Sequence, residues 1–223
     1  MKTNFKHAIK ASALLLALSF SIVSCKDDKD DEPTAMASLT VVNTVEGSAP
    51  QDFYVDDSKA ISSLAYGSNS NITIASGTSV GAFRNASSTA TNASYRFTLG
   101  ADSKQTLFLI RNRDGSFGIN AYSDDNTTTS GKARVRFINL SPILSAAINV
   151  TTSAGTSLAS ALAYQGASTY QTIDANTAIN INTIGSLETT TIAGSEFQAG
   201  KVYTVWFDSS TSTNAKYHII AQN

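Results

Sequence analysis

Few side chains in this sequence could do chemistry. Cys25 is the single cysteine, set between Ser24 and the charged run "KDDKDDE" from Lys26 to Glu32. A lone thiol in an exported chain can take a lipid, stay free or pair with another molecule. In each case the residues after Cys25 contain no cysteine, so they hold no disulfide, no cysteine nucleophile and no cysteine metal site. The two histidines are His7 and His218. His218 stands between Tyr217 and Ile219 in an alternating run with no acid close in sequence, which reads as a structural or surface histidine rather than a general base. Carboxylates pair at Asp56 with Asp57 and at Asp124 with Asp125, the latter beside Asn126. Such oxygens suit calcium, but the ligand spacing and glycine of a calcium loop are missing, so solvated turns are the plainer reading and no metal is expected. No nucleophile elbow, phosphate loop or dinucleotide fingerprint occurs. Trp206 alternates with Tyr203, Val205 and Phe207 and so belongs to the opposite face of its strand. There it is either a stacking platform for a sugar or protein, the candidate ligand contact, or buried in a core or between domains.

The elements that place these residues begin with the leader. Lys2, Lys6 and Lys10 precede an uncharged apolar run from Ala11 to Val23, the pattern of a secretory signal. The run is shorter than the roughly 20 apolar residues a membrane-spanning helix needs, and it stops at charge. "IVSC" from Ile22 to Cys25 resembles the bacterial lipobox, which implies acylation of Cys25 and cleavage before it. Each buried methylene contributes about 0.8 kcal/mol, so two or three acyl chains hold firmly where one holds marginally. Lys26, Asp27 and Asp28 follow in a pattern that resembles the surface-export signal of Bacteroidetes lipoproteins. The resemblance implies a protein on the outer membrane facing the exterior; the same tether on the periplasmic side is the other reading. The charge run cannot pack and acts as a solvated tether. The expected partition is a signal peptide over 1–24, lipidated cysteine and acidic tether over 25–35, a β-sandwich domain over 36–122, a linker over 123–132 and a second β-sandwich domain over 133–223.

That partition rests on an internal repeat. "ASLTVVN" from Ala37 recurs as "ARVRFIN" from Ala133, and "AISSLAYG" from Ala60 recurs as "ASALAYQG" from Ala159, in the same order. A period of about 96 residues is a duplicated domain rather than a solenoid unit. The intervening "SDDNTTTSGK" is polar and turn-rich, as a linker should be. Only 15% of the chain is charged and its formal net charge is −1, which leaves no basic footprint for nucleic acid.

Period-two alternation marks the strands. Val135 and Phe137 alternate with Arg134 and Arg136, and Ile179 and Ile181 with Asn180 and Asn182. Runs of this kind recur every 8 to 12 residues or so with turn residues between them, the rhythm of an antiparallel sandwich. "RDGS" from Arg113 suits a tight hairpin. The expected fold is all-β, with both "AISSLAYG" and "ASALAYQG" read as strands.

"ARVRFINLSP" followed by "INV", then "LAYQGASTYQTI" from Leu162 and "GKVYTVWF" from Gly200, resembles the bacterial domain-of-unknown-function family 4397, found in exported proteins and Bacteroidetes lipoproteins. The resemblance covers nearly the whole second half and, more weakly, the first. It implies two tandem immunoglobulin-like domains and no established activity. Members often carry acids after the Ser-Pro pair, whereas Ile143 and Leu144 follow Pro142 here. The function expected from all of this is non-enzymatic: a lipid-anchored cell-surface protein for binding, adhesion or scaffolding, without cofactor. Its partners would be the membrane, through the lipid, and an extracellular protein or glycan. The alternative is a carbohydrate-binding accessory lipoprotein of a glycan uptake system.

Overall fold

The computed structural model describes residues 34–223. Cys25, Lys26, Asp27 and Asp28, and with them the lipidation and export expectations, lie outside the described residues.

Sixteen strands form two halves of eight among the described residues. The first half contains β1 (Met36–Asn43), β2 (Gln51–Val55), β3 (Ser58–Leu64), β4 (Asn69–Ala75), β5 (Gly77–Asn85), β6 (Thr91–Leu99), β7 (Lys104–Arg111) and β8 (Phe117–Ser123). The second contains β9 (Lys132–Asn139), β10 (Ile148–Thr152), β11 (Ser157–Leu162), β12 (Gln171–Asp174), β13 (Ile179–Thr183), β14 (Thr189–Ile192), β15 (Val202–Asp208) and β16 (Lys216–Ala221). Sheet orders are β4-β1-β7-β8 and β3-β2-β5-β6 in one half, and β12-β9-β15-β16 and β11-β10-β13-β14 in the other. Each strand of the first half therefore has its equivalent eight places on. Pairing is antiparallel except for β1 with β7 and β9 with β15, which run parallel in both halves.

Each half closes on its own core. Leu39, Val41, Phe53, Phe83, Leu107 and Leu109 fill the first, and Val135, Phe137, Ile148, Ile181, Val205 and Phe207 the second. Alternation supplies these inward residues. It fails to leave the other face wet on the four central strands, because that face is covered too. Val42, Phe108, Ile110, Ile138, Leu140, Trp206 and Ile220 make a third core between the halves. Near-continuous apolar text such as "TLFLI" in β7 and "VYTVWF" in β15 is the signature of strands buried on both faces.

A buried asparagine ends the first strand of each half and fixes the same turn. Asn43 Nδ2 donates to Leu64 O at 3.1 Å, and Asn139 Nδ2 to Leu162 O at 3.0 Å. Their Oδ1 atoms accept from Val45 N and Ser141 N, both at 3.1 Å. Their main-chain oxygens accept from Gly67 N and Gln165 N. "LAYG" and "LAYQG" thus leave the strand at Leu64 and Leu162 and become turns, so the strand reading holds only for the first part of each run. In the Arg113–Ser116 turn only Gly115 takes a positive φ, 86°, while Asp114 Oδ1 accepts from Ser116 N at 2.9 Å.

Candidate functional site

Those two turns carry Tyr66 and Tyr164 into the opposite half. Tyr66 Oη donates to Asp208 Oδ2 and lies 3.3 Å from His218 Nε2, which is itself 3.3 Å from Asp208 Oδ1. Lys216 Nζ reaches Glu46 Oε1 at 2.8 Å, and Ser210 Oγ donates to Glu46 Oε2 at 3.1 Å. Asp208 and His218 are diagonal neighbours across the β15–β16 ladder, which sets Trp206 opposite His218 and Asp208 opposite Lys216. The acid missing from the sequence neighbourhood of His218 is thus supplied by strand pairing. Burial and the Asp208 carboxylate push the Tyr66 phenol well above its ordinary value, and the Lys216 ammonium holds Glu46 below the usual carboxylate range. His218 Nε2 faces Asp208 and Tyr66, and its Nδ1 faces Gly67, where a Cβ would sit 3.5 Å away.

Trp206 is fully buried and stacks on the His218 ring, with centroids 3.8 Å apart and planes 5° from parallel. The face opposite Val205 and Phe207 is the seam between the halves. The indole therefore cannot serve as an exposed platform, and the candidate ligand contact at Trp206 is corrected to an interface residue.

The equivalent junction around Tyr164 is built differently. Tyr164 Oη donates to Arg111 O at 2.8 Å, and Tyr122 Oη donates to Gln165 O at 3.0 Å. The positions equivalent to Asp208 and His218 are Ile110 and Asn120, since Asn120 pairs with Phe108 as His218 pairs with Trp206. One junction is rich in ionisable groups and the other relies on neutral hydrogen bonds.

The carboxylate pairs divide. Asp124, read above as a solvated turn residue, is buried: its side chain is 1% exposed and sits 2.5 Å from Arg136, itself 5% exposed. Thr106 Oγ1 donates to Asp124 Oδ2 at 2.7 Å, and Arg136 Nη2 also reaches Thr204 Oγ1 at 3.0 Å. Burial pushes the Asp124 carboxyl up against the pull of Arg136. The segment read as a linker is therefore pinned to β9 by this pair. Asp125 pairs with Arg134, and Asp57 with Arg84, both at the surface. Arginines thus hold three of these acids, and among the described residues no three of His, Cys, Asp and Glu converge on a common point.

The ends of the molecule differ. β1 and β9 finish beside each other, where Thr44 to Gly47 and Leu140, Pro142 and Ile143 line a cleft of about 180 Å³ with Arg111 and Asp208. Ile143, Ile184 and Leu187 stand exposed on the loops at this end, Leu187 completely. Ile184 N donates to Ala147 O, which ties the β13–β14 hairpin to the β9–β10 loop. The equivalent loop of the first half, Ala86 to Ala90, is small and polar. β1 starts at the other end, about 25 Å away for eight residues of strand. The outer face of β11-β10-β13-β14 is different again. Asn149, Thr151, Asn180, Asn182, Thr189 and Thr191 alternate with buried Ile148, Val150, Ile179, Ile181 and Ile192 and carry no charge.

These features define a class: an all-β protein of two sandwich-like domains joined through a shared core. Domain of unknown function (DUF4397) matches residues 37–151, and the chain belongs to that family. The match takes in the first half and the β9–β10 part of the second, and the equivalence of the two halves accounts for motifs of one family appearing in both. Among solved structures, the crystal structure of CBMbc (family CBM26) from Eubacterium rectale Amy13K in complex with maltoheptaose is similar at 9% identity and a TM-score of 0.26. It covers 81% of this chain and 96% of that one. At that score the likeness carries no argument about a ligand. No curated protein matches the chain.

Proposed function

We propose that this is a lipid-anchored cell-surface protein that acts by binding or display, without catalysis, on the outer membrane. The observation that carries the reading is the polarity of the molecule. The chain enters at the start of β1, and the exposed aliphatic tips Ile143, Ile184 and Leu187 lie at the other end. A tether at one end and apolar loops at the far end suit a module that meets its partner away from the membrane. Fractionation tests the anchor: Cys25→Ser should move the protein from the membrane to the soluble fraction, and protease shaving of intact cells should remove it. Whole-cell and glycan-array binding of the full chain tests the role. Binding to cells lost in Ile184→Asp with Leu187→Asp supports contact through the loops, and retention of the lipid-free variant on membranes, or unchanged binding by the loop variant, overturns it.

Glycan capture is the second reading, and the uncharged amide and hydroxyl face of β10, β13 and β14 favours it, since neutral sugars are held by such groups. Array binding lost in Asn180→Ala with Asn182→Ala, while the loop variant still binds, would select it.

A further inference from the structure

We propose that β4 is an interface for a second copy of this chain, which pairs with it edge to edge. β4 (Asn69–Ala75) is the outermost strand of β4-β1-β7-β8. At the two ends of its ladder with β1, Ser76 N donates to Ala35 O at 2.7 Å and Asn43 N donates to Ser68 O at 3.2 Å. These bonds set the phase of the ladder. Ser70, Ile72 and Ile74 bond to β1, and Asn69, Asn71, Thr73 and Ala75 turn their N–H and C=O groups outward. Those four residues are exposed, and among the described residues their main-chain groups have no hydrogen-bond partner. An open row of this kind is a template for another extended strand.

Every other outer strand among the described residues is guarded. β3 and β11 are bulged, β12 and β14 have four residues each, β6 and β8 close against each other, and β16 begins at Lys216. β4 runs for seven residues with no charge, no proline and no register shift. Its equivalent in the second half is the short β12, so the fold does not require an edge of this length.

The occupant follows from the strand being its own complement. In the antiparallel register centred on Ile72, Asn71 bonds to Thr73 of the copy and Asn69 to Ala75 of the copy, so every outward residue is satisfied and no like charges meet. On the other face Ile72 lies against Ile72 of the copy. Ile72 and Ile74 are only half-buried at the margin of the first core, and the pairing completes their burial. The two starts of β1 then stand at opposite ends of the shared sheet. With the anchor proposed above, the copies belong to facing membranes; the pairing itself does not depend on that anchor.

The test uses the full chain with Cys25→Ser, which removes the only thiol. Sedimentation should show a monomer–dimer equilibrium. Thr73→Lys, and Thr73→Pro, which removes an N–H that β1 does not use, should each weaken association at least about tenfold. Thr172→Lys, at the equivalent place on β12, should leave it unchanged. With Ile72→Cys added, oxidation should link two copies through the central pair; with Asn71→Cys instead it should not, because diagonal positions stand about 7–8 Å apart. A chain that stays monomeric up to its solubility limit overturns the proposal. So does a dimer that survives both Thr73 variants, or one lost only in Ile184→Asp with Leu187→Asp. If Thr73→Pro fails to fold, Thr73→Lys and the Ile72→Cys link decide. None of these outcomes bears on the anchor, which fractionation tests separately.

Discussion

Arg136 and Asp124 show what a single charge costs once it is enclosed. With side chains 5% and 1% exposed, neither can fall back on water. Arg136→Ala should therefore destabilise the full chain by about 3–5 kcal/mol in urea unfolding, because Asp124 is left buried without its partner. Arg136→Met together with Asp124→Leu should recover most of that loss. Asp52 offers a second test. Its carboxylate accepts from Ser63 N at 2.9 Å and pairs with Lys59 at 2.5 Å, and these contacts hold its pKa below the ordinary 3.8. A lowered carboxylate contributes stability that is present above pH 3.8 and lost as the pH falls toward the folded value. The equivalent residue is Asn149, which makes the same bond to Ala161 N at 2.9 Å. Asp52→Asn should accordingly fold, and its melting temperature should fall less than that of the parent chain between pH 4 and pH 2. Neither role was legible beforehand. Asp124 looks like any turn acid in "SDDNTTTSG", since the arginine that covers it comes from a strand reached through the turn.

At the scale of elements, the strand that follows each of these residues carries a bulge. β2 against β3 and β10 against β11 shift register at equivalent points, with Ser63 at φ 53° and Ala161 at φ 49°. A left-handed conformation costs a residue with a Cβ about 1–2 kcal/mol, and glycine escapes most of it. Ala161→Gly should raise the unfolding free energy measured in urea, by about 1 kcal/mol or less once the extra unfolded-state entropy of glycine is subtracted. Alternation made the strands visible, and the recurrence of "LAY" made their repetition visible. The bulges and the strand-to-turn change at Leu64 and Leu162 stayed hidden, because a bulge is a relation between two strands and leaves no period of its own.

For the whole molecule, the question is whether the halves unfold together. Trp206, Phe108, Ile110 and Ile138 are fully buried in the seam. Truncating the largest of them, Trp206→Ala, should cost about 3–5 kcal/mol and split one calorimetric transition into two as the halves lose their common core. Persistence of a single transition at the parent temperature would refute the coupling. The sequence by itself determined what local chemistry and short periods encode: an all-β chain, its duplication, and the family it resembles. Only the tertiary structure decided that the second face of the central strands is dry, that Trp206 lies inside rather than on display, and that Tyr66, Asp208 and His218 meet. The physical reason is that a strand's pattern says which residues share a face, and what covers that face depends on strands far away in the chain.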